Sequence, residues 1–316
     1  MIAAVITGGS ILTILTLGLK IGIDFTGGSL TEVSYSVVPD KTAVESAVNI
    51  QELGGTSVRE SGDDAGRGGY IIRTRALTDE ERDVLSADLI TLGEGGEITR
   101  FTSIGPVIGN ELKDKAGWAI GGVVAIIVLY VAFAFAGIGV PVSSWVYGLT
   151  TVFVLIHDVL VPTALMSILG ATQGVEVDIL FVMAILAVLG YSVNDTIVVF
   201  DRVRENLIAN RTEHRTKHTE PGGIVREDVV YTLTKPYDEI VGSAVTETLA
   251  RSINTSLTTL VALLALYLFG GEVTKIFALV MFAGVFAGGY SSIFIASPLV
   301  VAYAEYKSKN EGVVKK

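Results

Sequence analysis

Residues 116–157 read AGWAIGGVVAIIVLYVAFAFAGIGVPVSSWVYGLTTVFVLIH, 42 consecutive positions without an Asp, Glu, Lys or Arg. An α-helix crosses the hydrocarbon core of a bilayer in about 20 residues, so the run is too long for one span and suits two. Ala136, Gly137, Ile138, Gly139, Val140 and Pro141 lie at its middle, where Gly and Pro break the helix and turn the chain. With no water at that depth to satisfy backbone N–H and C=O groups, both halves must be helices rather than open strands. Residues 1–19, 159–175, 179–194, 252–271 and 276–304 are equally free of charge. The pattern predicts a polytopic α-helical membrane protein with six transmembrane helices.

The bulk composition agrees. Half of the 316 residues are hydrophobic and 18% are charged, against about 25% charged in a soluble domain; a conventional soluble enzyme is excluded. The net charge is −10, and that acidic balance argues against nucleic acid as a partner, since phosphate binding needs clustered Lys and Arg. Residues 1–115 hold 17 acidic against 10 basic side chains. There is no Cys, hence no disulfide, thiolate metal site or Cys nucleophile. The N-terminus lacks the basic region and cleavage site of a signal peptide and reads as a retained first transmembrane helix.

Lys and Arg in short loops set the orientation. Arg202, Arg204, Arg211, Arg215, Lys217, Arg226, Lys235 and Arg251 stand between the fourth and fifth apolar runs, and Lys307, Lys309, Lys315 and Lys316 follow the last. Both regions are expected to be cytoplasmic. The resulting division is a first transmembrane helix at 1–20, an extracytoplasmic domain at 21–115, helices two to four at 116–201, a cytoplasmic loop at 202–245, helices five and six at 246–305 and a cytoplasmic tail at 306–316. Both termini are then cytoplasmic.

Within residues 21–115, Ser29–Val37 alternates as a strand and Asp40–Leu53 has helical spacing. Thr56–Glu60 and Tyr70–Arg75 read as strands around a turn at Gly62–Gly69, and Glu97–Ser103 as a last strand. Between them Thr78 and Glu81 form a capping box opening a helix that runs to about Leu92. The order β-α-β-β-α-β predicts a ferredoxin-like α+β domain between helices one and two.

Several side chains are candidates for chemistry. Asp195 lies inside the fourth run's helix, where an ionised carboxylate costs about 2.5–3.5 kcal/mol; it is either a structural acceptor or a proton-carrying site. Arg251 is the candidate counter-charge, because Arg251, Asn254, Thr255 and Thr258 share one helix face, expected to face the bundle interior; snorkelling to the headgroups is the alternative. Arg202, seven residues or about 10.5 Å from Asp195 along the helix, is too far for a direct pair. Asp158 reads first as a structural acceptor and second as a relay. His157 points about 100° away from it on a helix, so the two do not chelate one metal. His214 and His218 have metal-like spacing but lie in a charged loop with no third ligand nearby; no metal site and no cofactor are expected. Gly27 and Gly28 read as a hinge between the first helix and the first strand, with Asp24 bonding local backbone. Gly284, Gly288 and Ser292 form a small-residue row for close helix packing.

Four segments carry a resemblance over nearly the whole chain: Gly22-Ile23-Asp24-Phe25-Thr26-Gly27-Gly28, Ser103-Ile104-Gly105-Pro106, His157-Asp158-Val159, and the long run Gly190-Tyr191-Ser192-Val193-Asn194-Asp195-Thr196-Ile197-Val198-Val199-Phe200-Asp201-Arg202-Val203-Arg204-Glu205-Asn206. Together they resemble the SecF type of the SecD/SecF protein-export family, relatives of the RND transporters. The resemblance implies a non-enzymatic accessory subunit that works with a SecD-like partner at the SecYEG channel, using the proton motive force to promote export of unfolded polypeptide. It also implies a proton relay at Asp195 and Arg251 with an aspartate of the partner, to which Asp158 and Asn194 are added here as further candidates, in a multi-pass subunit of the cell membrane surrounded by lipid. The His- and Thr-rich stretch between Arg211 and Tyr237 departs from the family pattern. Two rivals share the fold: an RND-like half-transporter for small molecules or lipids, and an assembly subunit that transports nothing. An intramembrane protease is disfavoured, because no Ser/His or paired-Asp spacing of that type is present.

Overall fold

The computed structural model describes residues 2–51, 53, 54, 56–62, 67–135, 141–219 and 225–310. The turn expected at Ala136–Val140, the tip of the turn at residues 63–66 and the last lysines, Lys315 and Lys316, lie outside them. Five helices are long and apolar enough to cross a membrane, which makes this a multi-pass membrane protein. They are α5 (Pro106–Ala134), α6 (Ser144–Gln173), α7 (Ile179–Ala209), α8 (Tyr237–Phe269) and a last one from Thr274 to Asn310. That last helix comprises α9 (Glu272–Ser291), a π-helical turn at Ser292–Ala296, and α10 (Ser297–Asn310). The first helix, α1 (Ile2–Leu17), is apolar but shorter. The helices outrun the charge-free segments that announced them: α5 starts at Pro106, whose fixed φ and missing N–H suit the first helical position.

Between α1 and α5 stand a short helix α2 (Ile23–Thr26) and then β1 (Gly28–Ser34), α3 (Lys41–Ile50), β2 (Ser57–Gly62), β3 (Gly68–Thr74), α4 (Asp79–Thr91) and β4 (Glu97–Ile104). The sheet order is β2-β3-β1-β4, with every pair antiparallel. Val33 of β1 faces Tyr70 on one side and Ile98 on the other. Alternation puts Val33, Tyr70 and Ile72 on the covered face, where α3 adds Val44 and Val48 and α4 adds Leu85 and Leu89. Tyr35 closes this core, its hydroxyl donating to the Leu89 carbonyl at 2.8 Å; burial pushes that phenol up to about 12.

In the bundle, α6, α7 and the last helix are central. About half of each apolar window is buried there, against 17% in α8 and 6% in α5. Trp118 and Phe133 on α5 and Leu257 and Leu268 on α8 are accordingly exposed, as expected of side chains that meet lipid or a second subunit. Two apolar clusters occupy opposite ends of the bundle. One gathers Phe135, Tyr147, Phe200, Ile240 and Val300, the other Leu155, Met166, Phe181, Ile185 and Val280. Along α7 they are separated by Ser192, Asp195 and Thr196, all buried.

Within the segment read as a loop between α7 and α8, β5 (Arg211–Thr219) and β6 (Val225–Leu233) pair as antiparallel strands. On a strand, His214 and His218 stand about 13 Å apart rather than one helical turn, so the helical metal spacing does not apply.

The α/β domain meets the bundle through a packed joint. Arg73 of β3 donates to the Ile21 carbonyl at 3.0 Å, to the Glu176 carboxylate at 3.0 Å and to Thr26 Oγ1 at 2.5 Å. Gly27 and Gly28 have φ of 72° and 135°, and a Cβ on Gly27 would stand 2.8 Å from Pro106 Cα.

The capping box at α4 is present, Glu81 N–H bonding Thr78 Oγ1 at 3.3 Å and Thr78 N–H bonding Glu81 Oε2 at 2.9 Å. Hydrogen bonding from Arg75, first, and from Thr78 holds the Glu81 carboxyl at about 2 against an ordinary 4.5. A lowered folded value means the contribution is complete above the ordinary carboxylate range and is lost as pH falls towards 2. Amide exchange at the start of α4 should therefore accelerate over that window, and Glu81→Gln should remove the pH dependence. Thr78→Ala should cost about 1 kcal/mol.

Candidate functional site

The polar layer between the two apolar clusters is built by three helices. His157 and Asp158 come from α6, Ser192 and Asp195 from α7, and Tyr290, Ser291 and Ser292 from the end of α9 and the start of the π turn. Close approach is set by glycines. A Cβ on Gly288 would stand 3.1 Å from Ser192 Cβ, one on Gly284 would strike the Val188 side chain, and one on Gly289 would lie 2.8 Å from Ser256 Oγ of α8.

Asp158 is fully enclosed and richly partnered. Its Oδ1 meets His157 Nδ1 at 2.8 Å, and its Oδ2 accepts from Ser192 Oγ at 2.5 Å and from Ser291 Oγ at 2.8 Å. The far nitrogen of the ring, Nε2, lies 2.5 Å from Tyr290 Oη. Asp195, 5% exposed, has one hydrogen-bond partner among the described residues, Ser292 Oγ at 2.5 Å. Ser291 and Ser292 are consecutive, so one short piece of helix holds both carboxylates. The extra residue of a π turn is a recurrent feature of functional sites, and here it begins at Ser292.

Arg251 and Asn194 do not join this layer; both are exposed on the outside of the chain. The stripe Arg251, Asn254, Thr255 and Thr258 faces outward, contrary to the expectation that it would face inward. The small side chains Ser252 and Ser256 take the inner face, because only they admit α9 at Gly289. Thr255 and Thr258 satisfy themselves on the Arg251 and Asn254 carbonyls, at 2.7 and 3.0 Å. The Arg251 guanidinium makes no ion pair among the described residues. Arg202 pairs with Glu247 and Glu205 at the end of the bundle. Asp24 bonds no local backbone: its Oδ2 accepts from Ile179 N–H at 2.8 Å, satisfying a donor at the start of α7 alongside the N-cap Asp178.

Sequence reasoning missed Tyr290 and Ser291, took Ser292 for packing alone and left His157 without a role. The signal available was the row of hydroxyls at 192, 291 and 292, which reads equally well as small-residue packing. Among the described residues no three His, Asp or Glu side chains group as a metal site.

The assembly defines a class: a multi-pass helical membrane protein whose bundle encloses carboxylates in a polar layer, with an α/β domain inserted after its first helix. The family model for "Protein export membrane protein SecD/SecF, C-terminal" matches residues 86–221 and 223–306. The protein translocase subunit SecF of Sebaldella termitidis is 34% identical over 303 residues, covering 94% of this chain and 86% of that protein. The protein translocase subunit SecDF of Thermus thermophilus is 33% identical over 301 residues, 93% of this chain and 36% of that protein. The crystal structure of Thermus SecDF, a translocon-associated membrane protein, superposes with a TM-score of 0.75 at 30% identity, covering 96% of this chain and 37% of that one. The chain belongs to the SecD/SecF family of protein-export membrane proteins and is similar to its SecF members along most of their length.

Removing one partner from a buried, hydrogen-bonded charge leaves the others unpaired at a cost of about 3–5 kcal/mol. Asp158→Ala should lower unfolding stability in detergent by about that much, whereas Arg251→Ala should leave the isolated chain's stability unchanged within about 0.5 kcal/mol.

Proposed function

We propose that the chain acts as a proton-driven accessory subunit of protein export, together with a SecD-like partner. One contrast carries the reading. Asp158 has three hydrogen-bond partners, while Asp195, in the middle of α7, has a single hydroxyl among the described residues, and Arg251 of the neighbouring helix is turned outward with no ion pair among them. A carboxylate so sparsely satisfied is suited to exchange a proton, and the outward stripe is suited to a second subunit that brings a further acidic group. Asp195 is then the proton-carrying residue, Arg251 and Asn194 face the partner's side of the relay, and Asp158 belongs to its inner wall. The relative that carries SecD and SecF in one name supports a SecD-like partner; the SecF names of the other relatives favour export over small-molecule transport.

In this reading α1 is a sixth span and both termini are cytoplasmic. Residues 28–104 form a ferredoxin-like domain on the outer side, in keeping with their antiparallel β2-β3-β1-β4 sheet, where they handle polypeptide emerging from SecYEG. Membrane lipid covers α5 and the rest of the apolar surface, and the subunit catalyses no covalent chemistry. One proton crossing 100 mV supplies about 2.3 kcal/mol, enough to bias a two-state tilt about fifty-fold. The tilt is placed at Gly27 and Gly28, with Asp24 holding the adjoining end of α7.

Asp195→Asn should abolish proton-driven export in membrane vesicles while the complex with the partner still copurifies; full activity of that variant would remove the mechanism. Gly27→Pro, which forces a φ of about −65° on a residue held at 72°, should block export, and unaffected export would argue against movement at that joint.

A further inference from the structure

Asp158 and His157 are adjacent in sequence, yet they are not equivalent as proton sites. The carboxylate is surrounded by donors: Ser192 and Ser291 give their hydroxyl hydrogens to Oδ2, at 2.5 and 2.8 Å, and Oδ1 meets His157 Nδ1 at 2.8 Å. An ionised carboxylate accepts only, so its partner nitrogen must carry the hydrogen. With Asp158 ionised, Nδ1 is protonated and Nε2 presents the lone pair of the neutral ring. Tyr290 Oη, 2.5 Å away, donates to it. In that state every hydrogen bond of the cluster is made, and the atom left to take a further proton is the imidazole Nε2. A buried carboxylate that orients an imidazole and stabilises its charged form is a recurrent chemical device.

Access favours the same atom. Phe286, one helical turn before Tyr290, is 61% exposed; Tyr290 is half-buried; His157 is 1% exposed. Tyr290 thus stands on the Phe286 face of α9 with its hydroxyl against the enclosed ring. On the inner side, Ser291 holds Asp158 and the next residue, Ser292, holds Asp195.

We infer that His157, and not Asp158, is the second proton-carrying group of this protein, loaded and unloaded at Nε2 through the Tyr290 hydroxyl. In the loading step Tyr290 passes its hydroxyl hydrogen to Nε2 while its oxygen takes a proton from a protonated water, which leaves as neutral water, so no phenolate accumulates and the ring gains one positive charge. With the ring neutral the pair carries −1, and with the ring charged it is neutral overall. Asp195 thus faces a negative neighbour in one state and an uncharged pair in the other, which couples its protonation to that of His157. The elements packed on α6 leave these groups dominant. The helix α1 and the π turn have no ionisable side chain. The helix α5 has Tyr130 and, at its N-terminal end, Glu111, Lys113, Asp114 and Lys115. The last helix has Tyr290, with Lys275 near its start and Tyr303, Glu305, Tyr306, Lys307 and Lys309 near its end. The helix α7 has Tyr191 and Asp195 in the layer, and Asp201, Arg202, Arg204 and Glu205 towards its end.

The inference deepens the proton-transport reading and rests on it for its role, but not for its test. The chain has three histidines, so His214→Gln with His218→Gln leaves His157 as the sole imidazole. Histidine-selective 15N labelling of that full-length variant in lipid bilayers reports each ring nitrogen between about pH 5 and pH 9. The expected result is a neutral ring protonated at Nδ1 in at least about tenfold excess, gaining a proton at Nε2 as pH falls. Asp158→Asn should bring the two tautomers within about threefold of each other, and Tyr290→Phe should keep the tautomer while slowing proton exchange at Nε2 severalfold. A neutral ring protonated at Nε2, or nitrogens that do not change across the range, overturns the inference. Full export by Asp195→Asn would sink the transport reading and leave the His157 titration standing.

Discussion

Two carboxylates sit where water does not reach, and the rest of the bundle is arranged around satisfying them. In hydrocarbon an unpaired charge costs more than most single packing contacts return, so each acidic side chain dictates what stands opposite it. Asp158 dictates most: it requires donors from α6, α7 and α9 at once, and that requirement fixes the relative height of three helices. The glycines at 284, 288 and 289 follow from this demand. Hydroxyls can reach the carboxylates only if the helices approach closely, and helices approach closely only where one of them lacks a side chain.

Apolar clusters at either end of the layer supply most of the association energy without constraining register. Phe135 stacks on Tyr147 with ring centres 5.1 Å apart, and Tyr147 meets Phe200 edge-on at 5.2 Å. Its hydroxyl is satisfied at the bundle's end by Tyr237, at 2.8 Å. Such contacts tolerate repacking, whereas the hydrogen bonds of the polar layer do not slide. Specificity thus resides in about six side chains, and bulk stability in the larger apolar remainder.

Features carried by contiguous residues were legible in the sequence. The long charge-free runs announced helices, and Thr78 with Glu81 announced the start of α4, because a capping box is four residues of local chemistry. The alternation of Val33 and Tyr35, or of Tyr70 and Ile72, announced strands. What failed needed knowledge of the opposite surface. Periodicity placed Arg251, Asn254, Thr255 and Thr258 on one face correctly, yet it could not say which way that face turned; the neighbouring serines decided it by being small. Asp24 found its partner 155 residues away, where no local rule reaches. The β5–β6 pairing was hidden because β5 carries no apolar residue whose alternation could be read.

The joint between the two parts of the molecule has a mechanical consequence. Arg73, from the second strand of the sheet's central pair, and Asp24, from the turn below it, both grip residues 176–179, the lead-in and first residue of α7. That helix carries Asp195 16 residues further on, about 24 Å along an unbroken rod. A load applied to the α/β domain is therefore delivered to the head of the helix that bears the sparsely held carboxylate, and a change at the carboxylate can be felt at the domain through the same stiff member. The side chains of Arg73 and Asp24 make α7 a strut shared by both parts.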